Sequence, residues 1–172
     1  MRRMRLSAQQ EFGLRCMIQI ARDKSSDCVN LIDIADREAL SVAYVAKLVR
    51  LLRKAGLVES IRGVKGGYRL ADAPEHTSVA DVLTALGGQL YSPLFCHRHS
   101  GHARDCVHVL DCGSRAMLIG LHGMVKSYLS EFTLADLIRP EQQVRAVVNE
   151  RVRKLARRAC VRQRQGLAQS RQ

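Results

Sequence analysis

A mainly α fold is predicted for this chain: a winged helix-turn-helix with a small β-hairpin wing, then a long C-terminal dimerisation helix. Three observations predict it. Two short amphipathic segments, residues 31–39 and 41–55, are separated by a turn too tight for anything but a helix-turn-helix or a helical hairpin. Two strand patterns, 57–62 and 67–70, come next around Gly63-Val64-Lys65-Gly66, a hairpin signal. Further on, an apolar stripe of Leu118, Leu121, Val125, Tyr128, Leu129 and Phe132 recurs at helical spacing over residues 113–132.

Ser7 opens a helix to residue 22, with Phe12, Cys16, Met17, Ile20 and Ala21 on one face and Leu14 and Ile18 on another, so burial on two sides is expected. Cys16 falls among core positions. Glu11 and Arg15, in the polar stripe between, read as an i,i+4 ion pair. Leu31, Ile34 and Ala35 point the next helix inward. Ser41 is the N-cap of the second helix-turn-helix segment, whose Val45, Leu48, Val49 and Leu52 form a buried stripe. Tyr44, Lys47, Arg50 and Lys54 point away from that stripe, and Gly56 ends the helix. A solvated helical hairpin would show the same pattern; the wing, with Arg62, Lys65 and Arg69 around a glycine tip, is what favours DNA.

Ser78 and Asp81 cap a helix with Val79, Val82, Leu83 and Leu86 inward, and Gly87-Gly88 ends it. Thr133 and Asp136 cap a short turn that Pro140 stops. The weak helical pattern of Val144, Val147, Val148, Val152 and Leu155 then gives way to arginines and is expected to fray into a disordered basic arm. The expected divisions are 4–75 for DNA binding, 76–139 for the loop and dimerisation helix, and 140–172 for the tail.

Composition narrows the function classes. The formal charge of +12 in 172 residues points to a polyanion, although nine basic residues against Glu141 and Glu150 lie in the tail. There is no run long and apolar enough to span a bilayer and no secretory signal, so a cytoplasmic protein is expected. In a reducing compartment the six cysteines read as metal ligands or core residues rather than disulfides. Three of them, Cys96, Cys106 and Cys112, stand in a polar loop with His97, His99, His102 and His108. Soft thiolates at such spacing suit a thiophilic metal or an iron-sulfur cluster. No Cys-x-x-Cys pair and no nucleotide-binding glycine motif supports a thiol redox enzyme.

Several motifs coincide: Met4-Arg5-Leu6-Ser7, Ser41-Val42-Ala43-Tyr44, Leu52-Arg53-Lys54-Ala55-Gly56-Leu57-Val58, Arg62-Gly63-Val64-Lys65-Gly66-Gly67-Tyr68-Arg69-Leu70, Cys106-x5-Cys112-Gly113 and Thr133-Leu-Ala-Asp-Leu-Ile. Over residues 4–139 the chain resembles the Rrf2 family of bacterial winged-helix transcriptional regulators, of the NsrR, RirA and IscR types, and most the first two. The resemblance implies a homodimer on a palindromic duplex operator, a repressor with no enzymatic activity and no membrane partner. It implies an iron-sulfur cluster, 4Fe-4S or 2Fe-2S, on Cys96, Cys106 and Cys112, reporting nitric oxide, redox state or iron.

Arg115 stands where the cluster-assembly type has a histidine ligand. In the nitric-oxide type an acidic residue of the first helix, from the other subunit, completes the site, and Glu11 matches it. The long Cys96–Cys106 gap and its histidines leave room for a histidine ligand or a structural zinc site. Ser41, Tyr44, Lys47 and Arg50 are the expected groove-facing residues, with Arg62, Lys65 and Arg69 on phosphates or in a minor groove. Ala39 occupies a turn position where many relatives have glycine.

Overall fold

The computed structural model describes residues 6–23, 28–63, 66–87, 106, 108 and 111–169, with side chains through residue 155 and at 157. Helices α1 (Ala8–Arg22), α2 (Leu31–Glu38) and α3 (Val42–Lys54) precede strands β1 (Val58–Ile61) and β2 (Gly67–Leu70). Helices α4 (Val79–Ala85), α5 (Gly113–Ser130), α6 (Leu134–Leu137) and α7 (Glu141–Gln169) complete the order. The starts of the first four helices have a local cause. Ser7 and Gln10 form a capping box on α1, and Asn30, Ser41 and Ser78 each accept an N–H from the first turn of α2, α3 and α4.

Amphipathicity then sets the packing. Cys16, Met17 and Ile20 of α1, Ile34 and Ala35 of α2, and Val45, Leu48, Val49 and Leu52 of α3 are buried in one core. Val82 of α4, Leu86 at its end and Leu134 of α6 join the same core, so the helix-turn-helix is braced by elements on both sides of residue 75. Gly13 is buried where a β-carbon would overlap the Leu86 methyls, so the close approach of α1 to the end of α4 needs glycine there. A smaller cluster of Val79, Leu83 and Phe132 gathers Tyr128 and Leu129 of α5 with Val147 and Val148 of α7. The bridge between Ser78 and Thr133 stitches the start of α4 to the end of α5.

The wing is a two-stranded antiparallel hairpin in which Glu59 faces Arg69 and Ser60 faces Tyr68. Val29, in the connection before α2, exchanges both backbone hydrogen bonds with Tyr68, at 2.9 and 2.8 Å, and so pins the wing to the body. That approach requires glycine at position 67, where a β-carbon would meet the Val29 backbone.

One feature differs from expectation. The tail, read as fraying into a disordered arm, is helical from Glu141 to Gln169. Its apolar stripe carries Arg151 among the valines, and that arginine is fastened to Asp136 of α6. Ala39 adopts a left-handed conformation, φ 53° and ψ 43°. Its turn is closed by the Leu40 N–H donating to the Ala35 carbonyl at 2.9 Å, the wrapping bond of a helix terminated by a left-handed residue.

Candidate functional site

The candidate nucleic-acid face is formed by α3 and the wing. Lys47 and Arg50 are exposed on α3, as is Ser41 at its N-terminus. The Ser41 hydroxyl accepts the Tyr44 N–H at 3.3 Å, so it caps the helix as well as facing solvent. Tyr44 departs from expectation. It is half-buried, edge-on to Phe12 with ring centroids 6.2 Å apart, and joins α3 to α1 instead of standing clear of the core. Its position beside the buried stripe carries it round to the α1 side, a displacement the apolar periodicity alone did not resolve.

On the wing, Arg62 is exposed next to Gly63, whose φ of 122° makes the turn. Arg69 is exposed but engaged by the carboxylate of its cross-strand neighbour Glu59 at 3.0 Å. Lys65 lies outside the described residues. Among the described residues, Lys47 and Arg50 on the helix and Arg62 on the wing are therefore cations without an ion pair, and Arg69 is a compensated one.

Of the second group of expected residues, Cys112 lies at the start of α5. Cys112 is the N-cap of that helix: its Sγ accepts the Arg115 N–H at 3.4 Å and lies 3.2 Å from Ser114 Oγ. The hydrogen bond with Ser114, then the backbone bond from Arg115, hold the Cys112 thiol below its usual range. The thiolate is the metal-binding form, and the N-terminus of a helix favours it. Cys106 is half-buried and His108 exposed, whereas Cys96, His97, His99 and His102 lie outside the described residues.

Glu11 is exposed on α1 and makes the i,i+4 pair with Arg15 at 2.8 Å. Among the described residues no three His, Cys, Asp or Glu side chains converge as a metal site. The donor chemistry nonetheless suits an iron-sulfur cluster: Cys106 and Cys112 are only half-buried, the Cys112 thiol is held below its usual range, and Glu11 is an exposed carboxylate. Cys16 is excluded from any such role. It is fully buried, and burial pushes its thiol up to about 12.

Sequence reasoning missed the pairing of Asp136 with Arg151. Asp136 is 6 % exposed, accepts the Thr133 N–H at 3.2 Å, and pairs with Arg151 Nη2 at 2.8 Å. Arg151 also donates to the Glu131 carbonyl and lies over the Phe132 ring, 4.5 Å from its centre. The signal available was an arginine at a core-facing position of the valine stripe.

The family model described as Rrf2, iron-dependent transcriptional regulator, matches residues 6–140. The chain belongs to the Rrf2 family. The protein named rrf2 from Nitratidesulfovibrio vulgaris is 36% identical over 136 residues, spanning 79% of this chain and 88% of that one. The transcriptional regulator NsrR of Bacillus licheniformis is 30% identical over 146 residues, 85% of this chain and the whole of that one. Among solved structures, CymR, the global cysteine regulator of B. subtilis, superposes with a TM-score of 0.61 at 30% identity, covering 79% of this chain and 97% of that one. This Rrf2 protein is thus a winged-helix DNA-binding transcriptional regulator and not an enzyme. None of its described helices is long and apolar enough to cross a membrane.

Proposed function

We propose that this Rrf2 protein is a cytoplasmic homodimeric repressor of palindromic operators, and that it senses nitric oxide, redox state or iron through an iron-sulfur cluster. Cys96, Cys106 and Cys112 would hold the cluster, with the partner subunit's Glu11 as the fourth ligand. The observation that carries the reading is Cys112. It caps α5 through its sulfur, so whatever engages that sulfur acts directly on the first turn of the helix.

Among the described residues, that helix also offers a broad apolar surface. None of its residues is buried in the protomer, while Met117, Ile119 and Met124 are 60, 45 and 71% exposed. Such a face fits a second copy of the chain. When bound, a cluster with three thiolates and one weaker oxygen ligand would supply an iron site open to attack or loss. The chain's own residues would do the rest. Glu11 sits on α1, and α1 packs on α3 through Phe12 and Tyr44. Engaging Glu11 and Cys112 together would therefore tie α5 of one subunit to the helix that supports the recognition helix of the other. Half-sites lie about one duplex turn apart, roughly 34 Å, so a small shift between the two α3 helices changes operator affinity steeply.

The test is the absorbance spectrum with iron, acid-labile sulfide and zinc content of anaerobically purified protein, before and after stoichiometric nitric oxide, with DNA affinity measured in parallel. A brown protein that bleaches and releases its operator is expected. Colourless protein after cluster reconstitution, holding about one zinc per chain, would replace the cluster with a structural zinc site of cysteines and histidine and leave the DNA-binding fold intact.

A further inference from the structure

The C-terminal helix α7 begins where the family match ends, at residue 140. It is not a loose appendage. Val147 and Val148 pack on the Val79, Leu83 and Phe132 cluster, and Arg151 is clamped between the Asp136 carboxylate, the Glu131 carbonyl and the Phe132 ring. The clamp consumes one cation and fixes the direction in which the rest of the helix leaves the body. From Arg151 to the end of the chain there are eight basic residues and no acidic one. Arg151 pairs with Asp136 and Lys154 with Glu150, at 2.8 and 2.7 Å, and the sequence carries six further arginines there, Arg153, Arg157, Arg158, Arg162, Arg164 and Arg171. Of these, Arg153 and Arg157 are exposed and have no ion pair among the described residues.

We propose that α7 is a second nucleic-acid-binding element, an arginine arm anchored to the body that contacts the DNA phosphate backbone outside the sequence read by α3 and the wing. The identity of the polyanion rests on the DNA-binding function of the family; the rest rests on α7 itself. Twenty-nine residues of helix extend about 43 Å, more than a duplex turn. Duplex DNA offers one phosphate charge per roughly 1.7 Å along that length. Arginine, which predominates here, pairs with phosphate through two parallel N–H donors. The competing partners fit less well. Residues 151–172 contain no aromatic residue, so they lack both the aromatic anchors of a membrane-surface helix and those of a protein hot spot.

The experiment compares the full chain with a variant in which Arg153, Arg157, Arg162 and Arg164 become Gln, a residue that preserves helicity, and with a chain ending after Arg157. A Lys47→Ala, Arg50→Ala variant stands beside them. Each is titrated by fluorescence anisotropy onto a random-sequence duplex of about three turns and onto phosphatidylglycerol vesicles, over a series of salt concentrations. The Gln variant should lose roughly tenfold or more in duplex affinity near 0.1 M salt, and its dependence of log affinity on log salt should flatten by about 0.9 for each phosphate released. The truncated chain should do the same. An unchanged slope in both overturns the proposal, as does a loss seen only on vesicles. If instead the Lys47, Arg50 variant binds duplex normally while the α7 variants do not, the recognition-helix reading fails and the arm survives.

Discussion

Ala39 is the one described non-glycine residue with positive φ, and it stands at the turn on which the placement of α3 depends. For an L-residue with a β-carbon the left-handed region costs about 1–2 kcal/mol, part of which glycine gives back as lost freedom in the unfolded chain. Ala39 is exposed, so nothing packs against its methyl tightly enough to justify the strain. Ala39→Gly should therefore raise stability by about 0.5–1 kcal/mol, read as a rise of about 1–4 °C in melting temperature. A fall would mean that the turn is held by the alanine and not in spite of it. The position was legible as unusual, but the torsion is a property of the connection between two helices and not of the residue. Cys16 was easier to read, because its place on the apolar face of α1 already implied a buried, inert thiol. Cys112 was legible as a candidate ligand, whereas its role as the cap of α5 depends on where that helix begins.

At the level of elements, α3 and the wing are the proposed DNA surface, and the wing's charge is partly internal. Arg69 is held by Glu59 across the hairpin, both side chains being about half exposed at 54 and 52%. Exposed pairs of this kind are worth little, on the order of 0–1 kcal/mol, so the pair can open for a phosphate, but the carboxylate then remains beside it. Glu59→Gln should tighten binding to operator and random duplex alike and steepen the salt dependence by up to about 0.9, one phosphate's worth. Arg62→Ala should do the reverse by a similar amount, also without regard to sequence. Isothermal titration at two salt concentrations separates these outcomes; no change in Glu59→Gln removes Arg69 from the phosphate contacts. Helix starts were legible because Ser7, Ser41 and Ser78 are capping residues behaving as their chemistry favours. The tail was misread for the opposite reason. The valine pattern is weak and gives way to arginines, and only the fold brings Asp136, Glu131 and Phe132 to meet Arg151.

The whole molecule is less complete as a single chain than its core suggests. The helix-turn-helix shares a closed core with α4 and α6, but α5 leaves Ala116, Met117, Ile119, Gly120, Gly123 and Met124 exposed. A β-carbon added at Gly120 or Gly123 would meet nothing within 4 Å. Within one protomer those glycines are a defect, since each costs a helix about 0.8–1.0 kcal/mol relative to alanine. Their presence is explained if another backbone comes close to them. The expected effect of substitution therefore has opposite signs in the two states. Gly120→Ala should stabilise an isolated chain by close to that amount, yet weaken a dimer packed through this stripe, and Gly120→Leu should weaken the dimer further by holding the helices apart. Sedimentation equilibrium of the native chain should give twice the 19.2 kDa monomer mass, and Gly120→Leu should shift it toward one. If Gly120→Leu remains fully dimeric with a raised melting temperature, the subunits meet elsewhere, and the partner subunit's Glu11 would no longer be a reasonable ligand for a cluster at Cys112.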